Sequence, residues 1–404
     1  MRVLEEIRRG NMASADVEER PERRLEVKPP RIPVKRIPPE LRKPKPRYRN
    51  EQSWFRRILL RLREDSQFLR STVQFAFAAL CLWIGVEFTL FARWGMSGGA
   101  APFYERPPGV EGFLPISSLI SLAYWIQTGV INTIHPSGLF ILLAIVLVSL
   151  VVKKAFCSWL CPIGTLSESL WMLGQKIFKK NLTLPRWVDL PLRSLKYLLF
   201  GFFAYSIIRM NTEALGAFIY SPYNKMADVK MYEFFADISR VALYVLAGLI
   251  VLSIVIKNFW CRFLCPYGAL LGLVSWISPL KITRTKSTCV DCMLCTKACP
   301  ANIAVHKAGR VWSDECMSCM ACVQVCPVKD TLEVRASRKG RRIPAWVLGT
   351  LLVGIFVAVT GMAMIAGQWQ NSIDRSEYLR RFKTVDGPMY QHFHGQVPAY
   401  GPND

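Results

Sequence analysis

Eight of the thirteen cysteines fall in two runs of identical spacing, each closed by a proline. The first run is Cys289-x2-Cys292-x2-Cys295-x3-Cys299-Pro300, and the second is Cys316-x2-Cys319-x2-Cys322-x3-Cys326-Pro327. Thiolates at this spacing hold [4Fe–4S] clusters, whose chemistry is one-electron transfer. Three thiolates at two-residue intervals wrap one side of a cubane when the backbone forms a tight loop. The fourth, three residues on and followed by a helix-resistant proline, points away to the other cluster. The pattern therefore predicts cluster A on Cys289, Cys292, Cys295 and Cys326, and cluster B on Cys316, Cys319, Cys322 and Cys299. One run alone could be a zinc site, but two with matching prolines argue against zinc and against disulfides.

Four more cysteines form a second pattern. Residues 153–164 read KKAFCSWLCPIG and residues 257–268 read KNFWCRFLCPYG, aligned without a gap at an offset of 104. Cys157 and Cys161, like Cys261 and Cys265, are four apart, which on a helix puts both sulfurs on one face. Pro162 and Pro266 predict that each pair closes a helix, and Gly164 and Gly268 that the chain then turns. If the two units pack together, four thiolates converge. Such a site could hold a further iron–sulfur cluster, act as thiol–disulfide or copper-handling pairs, or be a buried structural motif with free thiols. The remaining cysteine, Cys81, lies in an apolar run and reads as packing.

These motifs need elements to hold them. The chain has 404 residues, 51% of them hydrophobic, yet a net charge of +23. Apolar residues lie in long uncharged runs with basic residues between them, the pattern of a multi-spanning membrane protein. The positive-inside rule explains the charge better than nucleic acid does, so no nucleic-acid partner is expected. The first apolar run begins near residue 70 behind a charged leader, which predicts no cleavable signal peptide. Spans are expected at about 69–92, 138–154, 194–210, 239–256 and 343–366. Residues 113–134 read as an interfacial or re-entrant segment and 211–238 as a polar loop.

The expected fold is thus an all-α integral membrane protein with about five transmembrane helices in two parallel pseudo-repeats and an inserted bacterial 2[4Fe–4S] ferredoxin-like domain. The expected parts are a basic, Pro-rich, largely disordered cytoplasmic tail (1–66), a four-span membrane domain with two CxxxCP repeats (67–278), a cytoplasmic di-cluster domain (279–338), a fifth transmembrane helix (339–367) and a periplasmic tail (368–404). The basic leader is either a solvated tether or a strap on anionic lipid or on a partner. Lys153, Lys154, Lys179, Lys180, Lys196, Lys257 and Arg262 fall on one side under this topology, together with both cluster runs. That side is expected to be the cytoplasmic face of a bacterial inner membrane.

Four histidines complete the candidates. His135 precedes Pro136 at the expected outer end of the second span, where an imidazole could contact a quinone carbonyl or take a quinol proton; a plain loop residue is the simpler reading. His306 lies between the two cluster runs and reads as a loop residue of that domain. His392 and His394 form an HxH pair in the tail, too few ligands to complete a metal site. Walker, dinucleotide-binding, GxSxG, HExxH and CxxCH motifs are absent, so the clusters, rather than catalytic side chains, are expected to carry the chemistry.

Two CxxxCP motifs that end spans, CSWLCP and CRFLCP, followed by two ferredoxin motifs, resemble the membrane-bound polyferredoxin family. That family includes NapH-type subunits, the C-terminal half of NosR-type proteins and CcoG-type assembly proteins, and the likeness covers about residues 69–335. The resemblance implies a membrane-anchored relay of electrons between the quinol pool or a cytoplasmic donor and a periplasmic or membrane redox partner. It also implies flavin or haem partner subunits, a multi-subunit complex and a role as electron-transfer subunit rather than stand-alone enzyme. A maturation factor that reduces a metal or disulfide during metalloenzyme assembly is the second expectation, and a redox sensor the third.

Overall fold

The computed structural model describes residues 37–338, 340–390 and 400–401. Its helices of eight or more residues are α1 (Trp54–Glu64), α2 (Ser66–Met96), α3 (Pro115–Thr128), α4 (Pro136–Val152), α5 (Pro162–Phe178), α6 (Arg186–Ile208), α7 (Thr212–Ile219), α8 (Ala227–Ala236), α9 (Arg240–Val255), α10 (Pro266–Val274), α11 (Ala345–Ile365) and α12 (Arg375–Phe382). Strands β1 (Lys281–Arg284), β2 (Leu332–Arg335) and β3 (Arg342–Ile343) form one antiparallel sheet in that order, with Ile282 opposite Val334 and Val334 opposite Ile343.

Local sequence explains where the long helices begin and stop. Asp65 accepts hydrogen bonds from the Gln67 and Phe68 N–H groups and so caps α2, whose 31 residues run about 46 Å. Pro136 and Pro344 stand at the starts of α4 and α11, where a missing N–H costs nothing. Among the described helices α2 and α11 are long and apolar enough to cross a membrane. A third span arises if α8 and α9, which meet at an 82° bend, count as one broken element, and α4 is apolar but shorter.

The two largest buried clusters hold the ends of the long helices. One joins the ends of α4 and α11 to the sheet domain through Val148, Val152, Trp159, Leu348, Leu352, Ile282 and Val334. The other sits at the opposite end of α2, around Phe88, Phe91, Trp94, Leu215, Tyr378 and Phe382. Midway, Phe77 of α2 meets Phe356 of α11 edge-on, with ring centroids 5.5 Å apart.

Three segments differ from the sequence expectations. The stretch expected as a polar loop at 211–238 is helical: Asn211 and Ser221 cap helix starts, and Ser239 caps α9. Part of the expected tail is ordered, because α12 lays Phe382 on α2 at Gly95, where an added Cβ would stand 2.1 Å from the Phe382 ring. The leader is ordered from Ile37: Ile37 is buried against Val290 and Val328, and Arg42 pairs with Val328, so the expectation of disorder through residue 66 is corrected for residues 37–66. Enough apolar surface is available to these residues only because the sheet domain supplies it. Residues 1–36 and the pair His392 and His394 lie outside the described residues.

Gly95→Leu is expected to displace Phe382 and destabilise the protein by about 1–3 kcal/mol. Thermal unfolding in detergent, with proteolysis of the C-terminal segment as a second readout, checks this.

Candidate iron–sulfur centres

The di-cluster segment wraps two separate hollows. One is lined by Cys289, Cys292, Cys295 and Cys326, the other by Cys299, Cys316, Cys319 and Cys322. The structure thus brings together each foursome that the spacing singled out. The two runs use the same backbone device. Asp291 and Met293 flank Cys292 with φ of 47° and 61°, and Ser318 and Met320 flank Cys319 with φ of 47° and 57°. Left-handed residues interleaved with cysteines curl the chain and turn its N–H groups inward, a concavity suited to an anionic cluster. The cubane ligands therefore fit this chain. Burial pushes Cys295 and Cys319 up to about 11 and Cys299 up to about 12, so these thiols ionise near neutrality only against a bound cation.

The domain is fastened to the membrane helices at its second hollow. Gln67 Nε2 donates to the Cys319 carbonyl at 2.9 Å, Ser158 Oγ to the Met317 carbonyl at 2.6 Å and Trp159 Nε1 to the Ser318 carbonyl at 3.2 Å. Glu315, which lines this hollow next to Cys316, is paired with Lys196 and stands 3.8 Å from Lys154 Nζ. All three are buried.

Lys154 leads to the second set of cysteines. Its Nζ lies 3.5 Å from where a Cβ on Gly268 would stand. Cys157, Cys161, Cys261 and Cys265 lie close enough to interact electrostatically with one another, and Cys157 and Cys265 also interact with Lys154. Their local geometry adds to one expectation. Cys157 and Cys261 lie in the short helical turns Phe156–Trp159 and Trp260–Leu264, which end just before Cys161 and Cys265; these two are also the N-caps of the helices that follow, with Pro162 and Pro266 at the first position. Cys161 Sγ accepts from Gly164 N–H at 3.4 Å, and Cys265 Sγ accepts from Gly268 N–H at 3.4 Å. The glycines lie inside the first turn and allow close approach: a Cβ on Gly164 would meet the Cys157 carbonyl oxygen at 2.0 Å. The Cys-Pro-x-Gly order could have been read as an N-cap with proline at N1, since thiols, like hydroxyls, accept from a helix N-terminus.

His135, for which a loop residue was the simpler reading and a quinone contact the alternative, is buried just before α4, with Nε2 2.7 Å from the Asn224 carbonyl and Nδ1 3.3 Å from both Arg106 and Glu111. Both ring nitrogens are engaged in a buried polar cluster with Arg106, Glu111 and Asp228. His306 donates to or accepts from Thr296 Oγ1 at 2.7 Å beside the first hollow, as a loop residue of that domain. Cys81 is not core packing but faces a cavity of about 720 Å³ between α2 and α11. That cavity extends from Arg106 and Trp369 to Phe156, Leu160 and Pro162, next to the CxxxCP cysteines. It also exposes Glu87, an acid within a membrane-type helix, which accepts from Trp83 Nε1 at 2.9 Å. The sequence signal for it was the lone carboxylate in an apolar run.

A model described as a 4Fe-4S binding domain matches twice, over residues 134–181 and 241–285, and one described as a 4Fe-4S dicluster domain matches residues 281–327. YccM of Escherichia coli K12, named for electron transport, is 41% identical over 80% of this chain and 91% of its own length. The ferredoxin-type protein NapH of the same organism is 26% identical over 38% of this chain and 50% of its own length. The regulatory protein NosR of Pseudomonas aeruginosa is 28% identical over 44% of this chain and 24% of its own length. No solved structure matches. The fold and its cysteines define an iron–sulfur electron-transport protein of the membrane. The chain belongs to the membrane polyferredoxin-type family.

Glu315→Leu leaves Lys154 and Lys196 buried beside each other without their shared carboxylate, and is expected to destabilise the junction by about 3–5 kcal/mol. Thermal unfolding in detergent and a double-mutant cycle with Lys196→Met check it.

Proposed function

We propose that the protein holds two [4Fe–4S] clusters and relays electrons between the quinol pool or a cytoplasmic donor and a periplasmic or membrane redox partner. Cluster A is assigned to Cys289, Cys292, Cys295 and Cys326, and cluster B to Cys316, Cys319, Cys322 and Cys299. The observation that carries the reading is continuity: the second four-cysteine hollow reaches the CxxxCP quartet through the buried Glu315 and Lys154. When bound, the clusters supply one-electron transfer. The chain's own residues shape the two hollows, exclude water from them and fasten them to the membrane helices.

The CxxxCP cysteines form the next station. Each motif lies in one of the two segments matched by the same model, which supports a pair of parallel repeats with four thiols between them. Two helix N-termini and Lys154 direct positive charge at this quartet, an environment for thiolates binding a further cluster. A five-span topology, with clusters cytoplasmic and the C-terminus periplasmic, accounts for the basic leader. The exposed apolar side of α1, one residue before α2, fits a helix lying on the lipid surface.

About 30 Å of hydrocarbon separates that face from an outer acceptor, so a lipid-soluble carrier or a partner's flavin or haem completes the path. The cavity between α2 and α11 suits an isoprenoid quinone: it is mostly apolar, ends beside the CxxxCP motif and carries Glu87 as a proton acceptor. This replaces His135 as the quinone contact. A second reading, a maturation factor that reduces a metal or disulfide, draws on the same capped thiols, which resemble redox-active cysteines at helix N-termini.

Iron analysis is expected to give about eight irons per chain from the two cubanes, with an excess if the quartet is loaded. Replacing Cys157 and Cys261 by serine removes the excess and leaves the cubanes; unchanged iron sinks the third site. Glu87→Gln is expected to slow cluster reduction by a quinol about 100-fold while dithionite reduces the clusters as in wild type. Stopped-flow absorbance separates the two.

A further inference from the structure

The segment Ile37–Lys43 lies across the di-cluster domain as a strap. The Lys43 N–H donates to the Pro327 carbonyl at 2.9 Å, and the Lys329 N–H donates to the Leu41 carbonyl at 2.9 Å. The residues just past Cys326 thereby gain a strand partner, and Ile37 closes the other end against Val290 and Val328. The pairing places one side chain at a particular spot. Lys43 Nζ donates to the Val323 carbonyl at 2.5 Å. Val323 follows Cys322, which lines one hollow, and precedes Cys326, which lines the other, by three residues. Both thiols act electrostatically on the half-buried Lys43. Asp330 and Glu333 are the nearby carboxylates, but each has another cation: Arg342 lies 3.3 Å from Asp330, and Arg335 lies 2.8 Å from Glu333. Lys43 is therefore more than their counter-ion.

We propose that Lys43 is a potential-setting residue, a fixed positive charge that the strap delivers between the two cluster sites. This rests on the reading of the eight cysteines as ligands of two [4Fe–4S] clusters. Reduction adds an electron to a centre that is already anionic with its thiolates, and a nearby cation favours the reduced form of both clusters. A unit charge about 10–12 Å away, at an effective dielectric of about 20, changes the reduction equilibrium about tenfold. The strap also explains why a leader rich in proline and arginine is ordered where it meets the domain: its backbone groups and one ammonium are satisfied there.

The test uses the full chain in nanodiscs, with iron quantified and both clusters followed by EPR-monitored redox titration. Lys43→Gln keeps a donor for the Val323 carbonyl but removes the charge; Lys43→Arg keeps the charge. At unchanged iron content, K43Q is expected to lower both midpoint potentials by about 59 mV, the equivalent of a tenfold shift for one electron, and K43R to stay near wild type. Wild-type potentials in K43Q would overturn the proposal. So would loss of iron from K43Q, which would make the strap a structural lid. Absence of [4Fe–4S] signals from the wild type would instead refute the two-cluster reading beneath it.

Discussion

A lysine ammonium is costly to bury unless an opposite charge or several carbonyls receive it, and this protein buries four such side chains where the di-cluster domain meets the membrane helices. Lys196 and Lys154 converge on Glu315. Lys153 Nζ reaches the Val311 and Trp312 carbonyls at 3.4 and 3.3 Å, and Lys281 Nζ donates to the Trp276 carbonyl at 3.0 Å beside the Trp312 ring. The Lys153, Lys154 and Lys196 contacts run from the membrane helices or the residues that follow them to the cysteine-bearing segment, and Lys281 closes the turn between them. The junction can form only with the domain seated, so the orientation of the second hollow follows from where these charges find partners.

That constraint organises the redox geometry. Glu315 is one residue from Cys316, and Lys154 is three residues from Cys157. The same ion group therefore holds the wall of one cysteine site and the edge of another. Arg70 of α2 does similar work for α5: its two terminal nitrogens donate to Glu168 at 2.6 Å each, and Arg70 also reaches the Ser158 carbonyl at 3.2 Å. The helix capped by Cys161 is thus tied to the first long helix at the level of the thiols.

The opposite end is built from a second buried charge group. Arg106 is paired with Asp228 and with Glu111 at 2.9 Å, and Ser137 Oγ and the Gly138 N–H donate to Glu111 at 2.5 and 2.9 Å. Burial raises the Glu111 carboxyl, but Arg106 and His135 outweigh it and hold the group below the ordinary carboxylate range. Loop, α4 and α8 are locked together there. The cavity between α2 and α11 runs from Arg106 of this group toward Phe156, Leu160 and Pro162 beside the thiols.

Sequence alone determined the chemistry. Spacing within each short run marks three cysteines for one site, because loop geometry over ten residues is local, the proline after the fourth points that cysteine to the other run, and the CxxxCP duplication was equally legible. Length and apolarity marked the long helices for the same reason. What only the tertiary structure decided were the partners of charged and polar groups distant in sequence. Lys153, Lys154 and Lys196 read as membrane-flank charges, yet they are buried at the domain junction. His135 read as a plain loop residue or as a contact for a carrier, yet Asn224 and Arg106 hold its buried ring. Ile37–Lys43 read as disordered, because its apolar surface and strand partner belong to residues almost three hundred positions away. A charge or a lone pair carries no mark in the sequence of what will neutralise it; packing supplies that.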